Sequence, residues 1–568
     1  MAGSGLASSR PRQAGIVLLE IFLALFLVGS LSLERLMDFT GNQGDSYPLN
    51  FIQAIEPGDV AIFVVIFAVL LSLLEAVRRI VSRKAEEEEG VDAAPSSGAS
   101  ARKSLANYFK THWKACLVYM VPIFICWTIV WANYYPGTSM NDQLAVIGLP
   151  IAFANNHPLL YNLALSGCVR LGVHVLGSGS AGFALYVILQ MALCSAAVSL
   201  CCLWLRFRRA PRWAVVLVIA YFALTPLIGN YAMAALKDTL FGYALLLWVP
   251  FLFELSRADE SIWRKTSTCV LLALLVLATS LTRNNGLYVS IALLLVVFVI
   301  SLRRHAWKMI LAGVVAVCLA FVPNVWLSAK GVHQLFRESV GVPLQQLSAA
   351  VCSSEGSLDE DEEAYLDRLI PLETLRSVYA PMSVDLVKYN SDFDSDYLQQ
   401  TKGEFIRVYL SVGMRHADIY ARAFLSQTYG YWSLFANDSY QGSFFRISDN
   451  LRADTDIQAM EEWGLSNRSL YPESISVSMD GFLRAVTSVF PGPGACFALI
   501  MLGCFLLCCR RGSAKYVLVF LPFILLWGTL LIATPLACAF RYAFPFAVVL
   551  PFVVAMLFIP EKRVARKN

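Results

Sequence analysis

Residues 269–302 read CVLLALLVLATSLTRNNGLYVSIALLLVVFVISL. Two apolar runs, 269–281 and 287–302, flank a polar break that holds Arg283, Asn284, Asn285 and Gly286. With their flanking residues, such runs approach the roughly 20 residues that cross the core of a bilayer as a helix. The break is then the tip of a helical hairpin at the membrane edge, and it carries a guanidinium.

The same pattern recurs along the chain. Of its 568 residues 57% are hydrophobic and only 15% charged, and the mean hydropathy is +0.59. A soluble chain would be about 25% charged. These values describe a multi-pass, all-α membrane protein, and a net charge of +4 is too small to suggest a nucleic-acid partner. Twelve spans are expected, at 14–33, 59–77, 115–132, 181–204, 213–229, 238–254, 267–282, 285–302, 307–326, 493–509, 516–534 and 541–558. The first run follows Arg10 and Arg12 but is long for a signal peptide and lacks a cleavage pattern, so it reads as a retained signal anchor. Most of the 14 cysteines, such as Cys194, Cys201 and Cys504, lie inside apolar runs. A cysteine there is a small buried hydrophobe, and neither zinc spacing nor a disulfide framework is evident.

Two stretches break the pattern. Residues 83–112 open with RKAEEEEGVDAAPSSGASARKSL and read as a disordered cytoplasmic linker. Residues 327–490 hold no spanning run and read as a soluble domain of α/β or mainly α build, inserted between the ninth and tenth spans. The chain then divides into two N-terminal spans (1–82), the linker, a core (113–326) whose first external loop is 133–180, the soluble domain, and three final spans with a basic tail (491–568).

Short cytoplasmic loops collect Lys and Arg. With the N-terminus inside, 27 of the 45 Lys and Arg fall in cytoplasmic segments, five in short external loops and 13 in the soluble domain. Both termini are then cytoplasmic and the domain lies outside. Residues 159–176 contain Arg170 and His174, and counting them as a span would invert every later loop. They are expected to form an external helix along the membrane.

Three of the five external cations lie at the ends of different span pairs: Lys237 in AALKDTLFGY, Arg283, and Arg541 in ACAFRYAFPF. Each alone reads equally as a cation that snorkels to headgroups or as a functional charge. Three on one face, each flanked by polar residues, favour a shared anion site, with Arg offering a fork of donors to phosphate and Lys a point charge. The first external loop adds Asp142, in YYPGTSMNDQ, and His157, in NNHPLLYNL. A lone Asp is commonly a cap and a lone His structural. On a face with three cations, the carboxylate also suits a general base.

In the soluble domain, residues 413–435 have apolar residues at helical spacing, fitting an interfacial helix or part of the core equally. The run EGSLDEDEEAYLD reads as a solvated face, since it lacks the residue order of a calcium loop.

These pieces, with LKDTLF, TRNNGLY and FRYAFPF, resemble the GT-C class of membrane glycosyltransferases over residues 115–558, in the style of the protein mannosyltransferase and aminoarabinose transferase families. The resemblance implies an outward-facing, inverting transferase of the bacterial cell envelope that uses a polyprenyl-phosphate-linked sugar. Asp142 and His157 would be catalytic. Lys237, Asp238, Arg283, Asn284, Asn285, Arg541 and Tyr542 would hold the lipid phosphate. Many members carry two neighbouring acids in the first loop, whereas this chain has Asn141-Asp142. One carboxylate is a poor cage for a divalent cation, so no metal ligands are assigned and the cofactor stays open. Asp238 would help, or simply pair with its neighbour Lys237. The alternatives are a transporter or lipid flippase, for which Glu20 and Gln190 are the polar residues within spans, and a non-catalytic ligand-binding protein.

Overall fold

The computed structural model describes residues 10–36, 57–91, 105–139, 143–155, 157–257, 260–354, 356–436, 446 and 460–560. Its helices run α1 (Arg10–Glu34), α2 (Pro57–Val91), α3 (Leu105–Thr111), α4 (Trp113–Asn133), α5 (Gln143–Gly148), α6 (Leu159–Leu176), α7 (Gly179–Phe207), α8 (Arg212–Leu224), α9 (Pro226–Met233) and α10 (Lys237–Arg257). There follow α11 (Glu260–Trp263), α12 (Thr266–Thr282), α13 (Asn284–Arg303) and α14 (Trp307–Ala329). A separate set comprises α15 (Gly341–Cys352), α16 (Glu360–Leu369), α17 (Leu372–Val378), α18 (Asp385–Lys388), α19 (Ser395–Gln400), α20 (Lys402–Arg415), α21 (Ala417–Gln427) and α22 (Tyr429–Trp432). The chain closes with α23 (Glu473–Ser488), α24 (Pro493–Arg510), α25 (Val517–Ala533) and α26 (Phe540–Leu557).

Among the described residues, eleven helices are long and apolar enough to cross a membrane, and α8 with α9 form one more candidate, bent by 61°. This is a multi-pass, all-α membrane architecture. Every expected span corresponds to a helix or, at 213–229, to the bent pair α8 and α9; α12, at 17 residues, is too short to count among the eleven. The eleven include α6, which was not expected to span. Its surroundings decide the matter. Tyr135, just past α4, accepts a backbone bond from Arg468, and Ser180, at the start of α7, bonds Gly464 and Ser466. One short segment therefore touches the end of α4 and the start of α7, so both lie at the same end of the bundle. A crossing by α6 between them would put them at opposite ends.

The turn from α6 into α7 is made by Gly177 at φ +64°, followed by Ser178, whose side chain caps Ala181 N at 3.2 Å. The hairpin of α12 and α13 closes on Gly286, where a Cβ would come within 2.1 Å of the Thr279 carbonyl oxygen. Only glycine admits that approach, and it holds Arg283 at the tip against the bundle.

Residues 327–490 do not form one unit. Helices α15 to α21 enclose a core of their own, including Leu344, Leu347, Leu366, Leu369, Phe405, Val408 and Ala423. Leu465 and Leu483 instead join the core of the bundle, so residues 460–490 roof its end. The α/β alternative falls, because the described residues hold isolated bridges and no strand. The acidic run is the capped start of α16, where Asp359 and Glu362 form a capping box and four acids meet the positive helix end. Residues 413–435 pack as core: Ile419, Tyr420 and Ala423 inside the unit, Tyr431 in the bundle.

The linker also differs from expectation. Helix α2 runs on to Val91, since Ala and Glu are strong helix formers, and α3 is helical because Leu105 and Phe109 pack on the bundle. The linker between them, 92–104, lies outside the described residues.

Candidate functional site

The site is built around a break in the helical path. Pro226, which has no N–H to donate, bends α8 away from α9, and residues 234–236 lie outside any helix before α10 begins. Their carbonyls need partners from side chains. Gln190 of α7 donates to Ala232 O at 3.0 Å and Ala234 O at 2.6 Å. Gln143 and Tyr161 both donate to Ala235 O, at 3.0 and 2.6 Å. Ala235 N donates to Thr138 O at 3.0 Å. The segment between α4 and α7 is thus bonded to the residues immediately before Lys237.

Helix α10 then opens with Lys237 and Asp238. Successive helical residues point in different directions, so the two go to different partners. Lys237 Nζ lies 3.1 Å from His157 Nδ1, and the His157 ring stacks near Tyr161. Asp238 Oδ1 lies 2.8 Å from Arg283 Nη1, with side chains only 2% and 7% exposed. The Arg283 guanidinium sits between the Phe241 and Tyr542 rings, 5.4 and 5.0 Å from their centroids. Arg541 also lies over the Tyr542 ring, 4.6 Å from its centroid, and donates to its hydroxyl at 2.5 Å. The contact run therefore has two parts, His157–Lys237 and Asp238–Arg283–Tyr542–Arg541, which adjoin because Lys237 and Asp238 are neighbours in the chain.

Two expectations need correcting. Asp238 pairs with Arg283 rather than with Lys237. Arg283 is consequently a buried cation paired with a carboxylate and near two aromatic rings, whereas Lys237 and Arg541 are each half-buried. Asn284 lines a cavity of about 130 Å³, shared with Pro158, Tyr288 and Phe321, while Asn285 is half-buried. Asp142 lies outside the described residues. No group of three or more His, Cys, Asp or Glu among the described residues is arranged to hold a metal.

Sequence reasoning missed Gln143, Tyr161 and Phe241. Gln190, singled out there as a transport residue, holds the broken backbone instead. Glu20 pairs with Arg78 of α2 at 3.1 Å.

The unit built from α15 to α21 clasps the loop that leads to Arg541. Gln427 Nε2 donates to Thr534 O at 2.7 Å, Val384 N to Pro535 O at 3.1 Å, Ala537 N to Met382 O at 2.8 Å, and Gly430 N to Ala537 O at 2.7 Å.

A family model described as "Family of unknown function (DUF6020)" matches residues 149–568. The chain belongs to the DUF6020 family. No curated protein and no solved structure matches it. In this DUF6020 member the matched region holds every residue of the contact run, and Asp142 precedes it.

Proposed function

We propose that this protein is a GT-C-type glycosyltransferase that takes a sugar from a polyprenyl-phosphate carrier at the outer face of the cell membrane, for modification of envelope glycan or glycolipid. The observation that carries the reading is the contact run itself. Cations from the starts of α10 and α26 and the α12–α13 tip meet at one end of the bundle, beside the first external loop. The charge bias of the loops supports an extracytoplasmic position for that end and for the α15–α21 unit, with both termini cytoplasmic.

Lys237 and Arg541 would bind the carrier phosphate and stabilise the charge that develops on it as it leaves. Arg283 would hold Tyr542 and Asp238 in place from behind. Asp142 would take the proton from an acceptor hydroxyl, whose oxygen attacks the anomeric carbon as the carbon–oxygen bond to phosphate breaks, with inversion. Near Asp142 in the chain, Gln143 and Thr138 both bond Ala235, two residues before Lys237. Gln190 donates to two backbone carbonyls and Glu20 pairs with Arg78, which favours a structural role for both over a place on a transport path.

The test is transfer from a polyprenyl-phosphate sugar by protein in lipid nanodiscs. Asp142→Asn is expected to abolish transfer and leave carrier binding intact. Undiminished transfer by that variant would remove the proposed base.

A further inference from the structure

Helix α23 has three faces. Ser476, Leu483 and Thr487 are buried against the bundle. Glu473, Asp480 and Arg484 lie to one side of that buried line. To the other side Ile475, Met479, Phe482, Val486 and Val489 recur at steps of three and four, which aligns them in one stripe. The stripe is exposed: Ile475 is 51%, Phe482 64% and Val489 79% accessible.

We propose that this stripe is a lipid-binding surface, lying at the boundary of headgroups and acyl chains on the cluster's side of the bilayer. Three observations select lipid over a protein partner. Tyr471 donates its hydroxyl to the Ile129 carbonyl at 3.0 Å, one turn short of the end of α4. Ile129 belongs to the flank of α4 on which Val118, Val121 and Ile125 are also half or more exposed, an apolar face that a spanning helix turns to lipid. The chain therefore enters α23 on the lipid-facing side of the bundle. At its other end, four residues lead from α23 into the span α24. Both ends thus meet the membrane boundary, and a bond from Tyr134 to Asp480 fixes the rotation that keeps the stripe outward.

Charge narrows the kind of lipid contact. The ionic residues of α23 are Glu473, Asp480 and Arg484, with no excess of cations. Apolar burial rather than attraction to anionic headgroups drives the insertion. The proposal is independent of the transferase reading.

The experiment places p-benzoylphenylalanine at position 482, or at position 484 on the polar side, in the full chain. The protein is reconstituted in nanodiscs of phosphatidylcholine, irradiated and weighed intact. Position 482 is expected to gain a one-phospholipid adduct in at least about fivefold higher yield than position 484, as an interfacial helix requires. The yield is expected to stay the same when about a third of the lipid is replaced by phosphatidylglycerol. Equal yields at the two positions would overturn the proposal. So would chain-to-chain crosslinks from position 482 without lipid adducts, which would assign the stripe to a second copy, or a yield that follows the anionic fraction.

Discussion

At one end of the bundle Arg208 pairs with Glu254 at side chains 21% and 16% exposed, while Arg264 and Arg511 donate to the carbonyls of Arg304 and Ile559. At the other end Arg283 is 7% exposed, paired with Asp238, and held between two aromatic rings. The first set terminates helices, as cations near the carbonyl ends commonly do. The second set is linked, so a change at one residue reaches the next through Asp238 or Tyr542. Many cations at one end serve local capping, and a few at the other form a single device.

The comparison breaks most visibly at Arg283. Arg283→Met leaves Asp238 buried and unpaired, and is expected to cost about 3–5 kcal/mol of stability. The companion change Asp238→Leu in the same chain is expected to restore more than half of it, measured by thermal unfolding in detergent. A double variant no more stable than the single one would show that the pair is not coupled. Gln427→Ala removes the side chain that bonds Thr534 and strands a buried carbonyl, at a cost of about 1–3 kcal/mol. Hydrogen exchange over residues 534–539 is expected to rise, while the bundle is unaffected. Arg208→Ala, at the opposite end, is expected to cost about 1–3 kcal/mol, since Glu254 keeps its bond from Trp204, and to leave carrier binding unchanged.

The smallest effect concerns pH. Burial alone would raise the Glu362 carboxyl, but the Asp359 N–H, the Ser411 hydroxyl and the Arg415 guanidinium together hold it below its ordinary 4.5. A depressed folded value adds stability above pH 4.5, and that contribution is lost as pH falls through the folded value. Glu362→Gln should therefore flatten the acid side of the stability profile of the α15–α21 unit, followed by hydrogen exchange.

The spans were legible because apolar runs of membrane length leave few other structures open. The bend at Pro226 and the tip at Gly286 carry residues whose chemistry names the break. The membership of the cluster was also readable, since Lys237, Arg283 and Arg541 all stand where charge is costly. Its internal pairing was not read, although the rule that adjacent helical residues diverge already separates Asp238 from Lys237. The role of Gln190 was beyond sequence reading, because its partners are carbonyls that exist only once α8 and α9 part. The clasp on residues 534–539 joins segments more than 100 positions apart and leaves no local trace. Residues 83–91 were misread because low complexity outweighed the helix preference of consecutive glutamates.

The most direct measurement is native mass spectrometry of carrier binding in nanodiscs, comparing undecaprenyl phosphate with neutral undecaprenol on the wild-type chain and on Lys237→Ala/Arg541→Ala. If the cluster grips phosphate, the wild type prefers the phosphate form, and the variant binds it at least about tenfold more weakly, a loss of about 1.4 kcal/mol. Equal binding of the two lipids by the wild type, or undiminished phosphate binding by the variant, would contradict it.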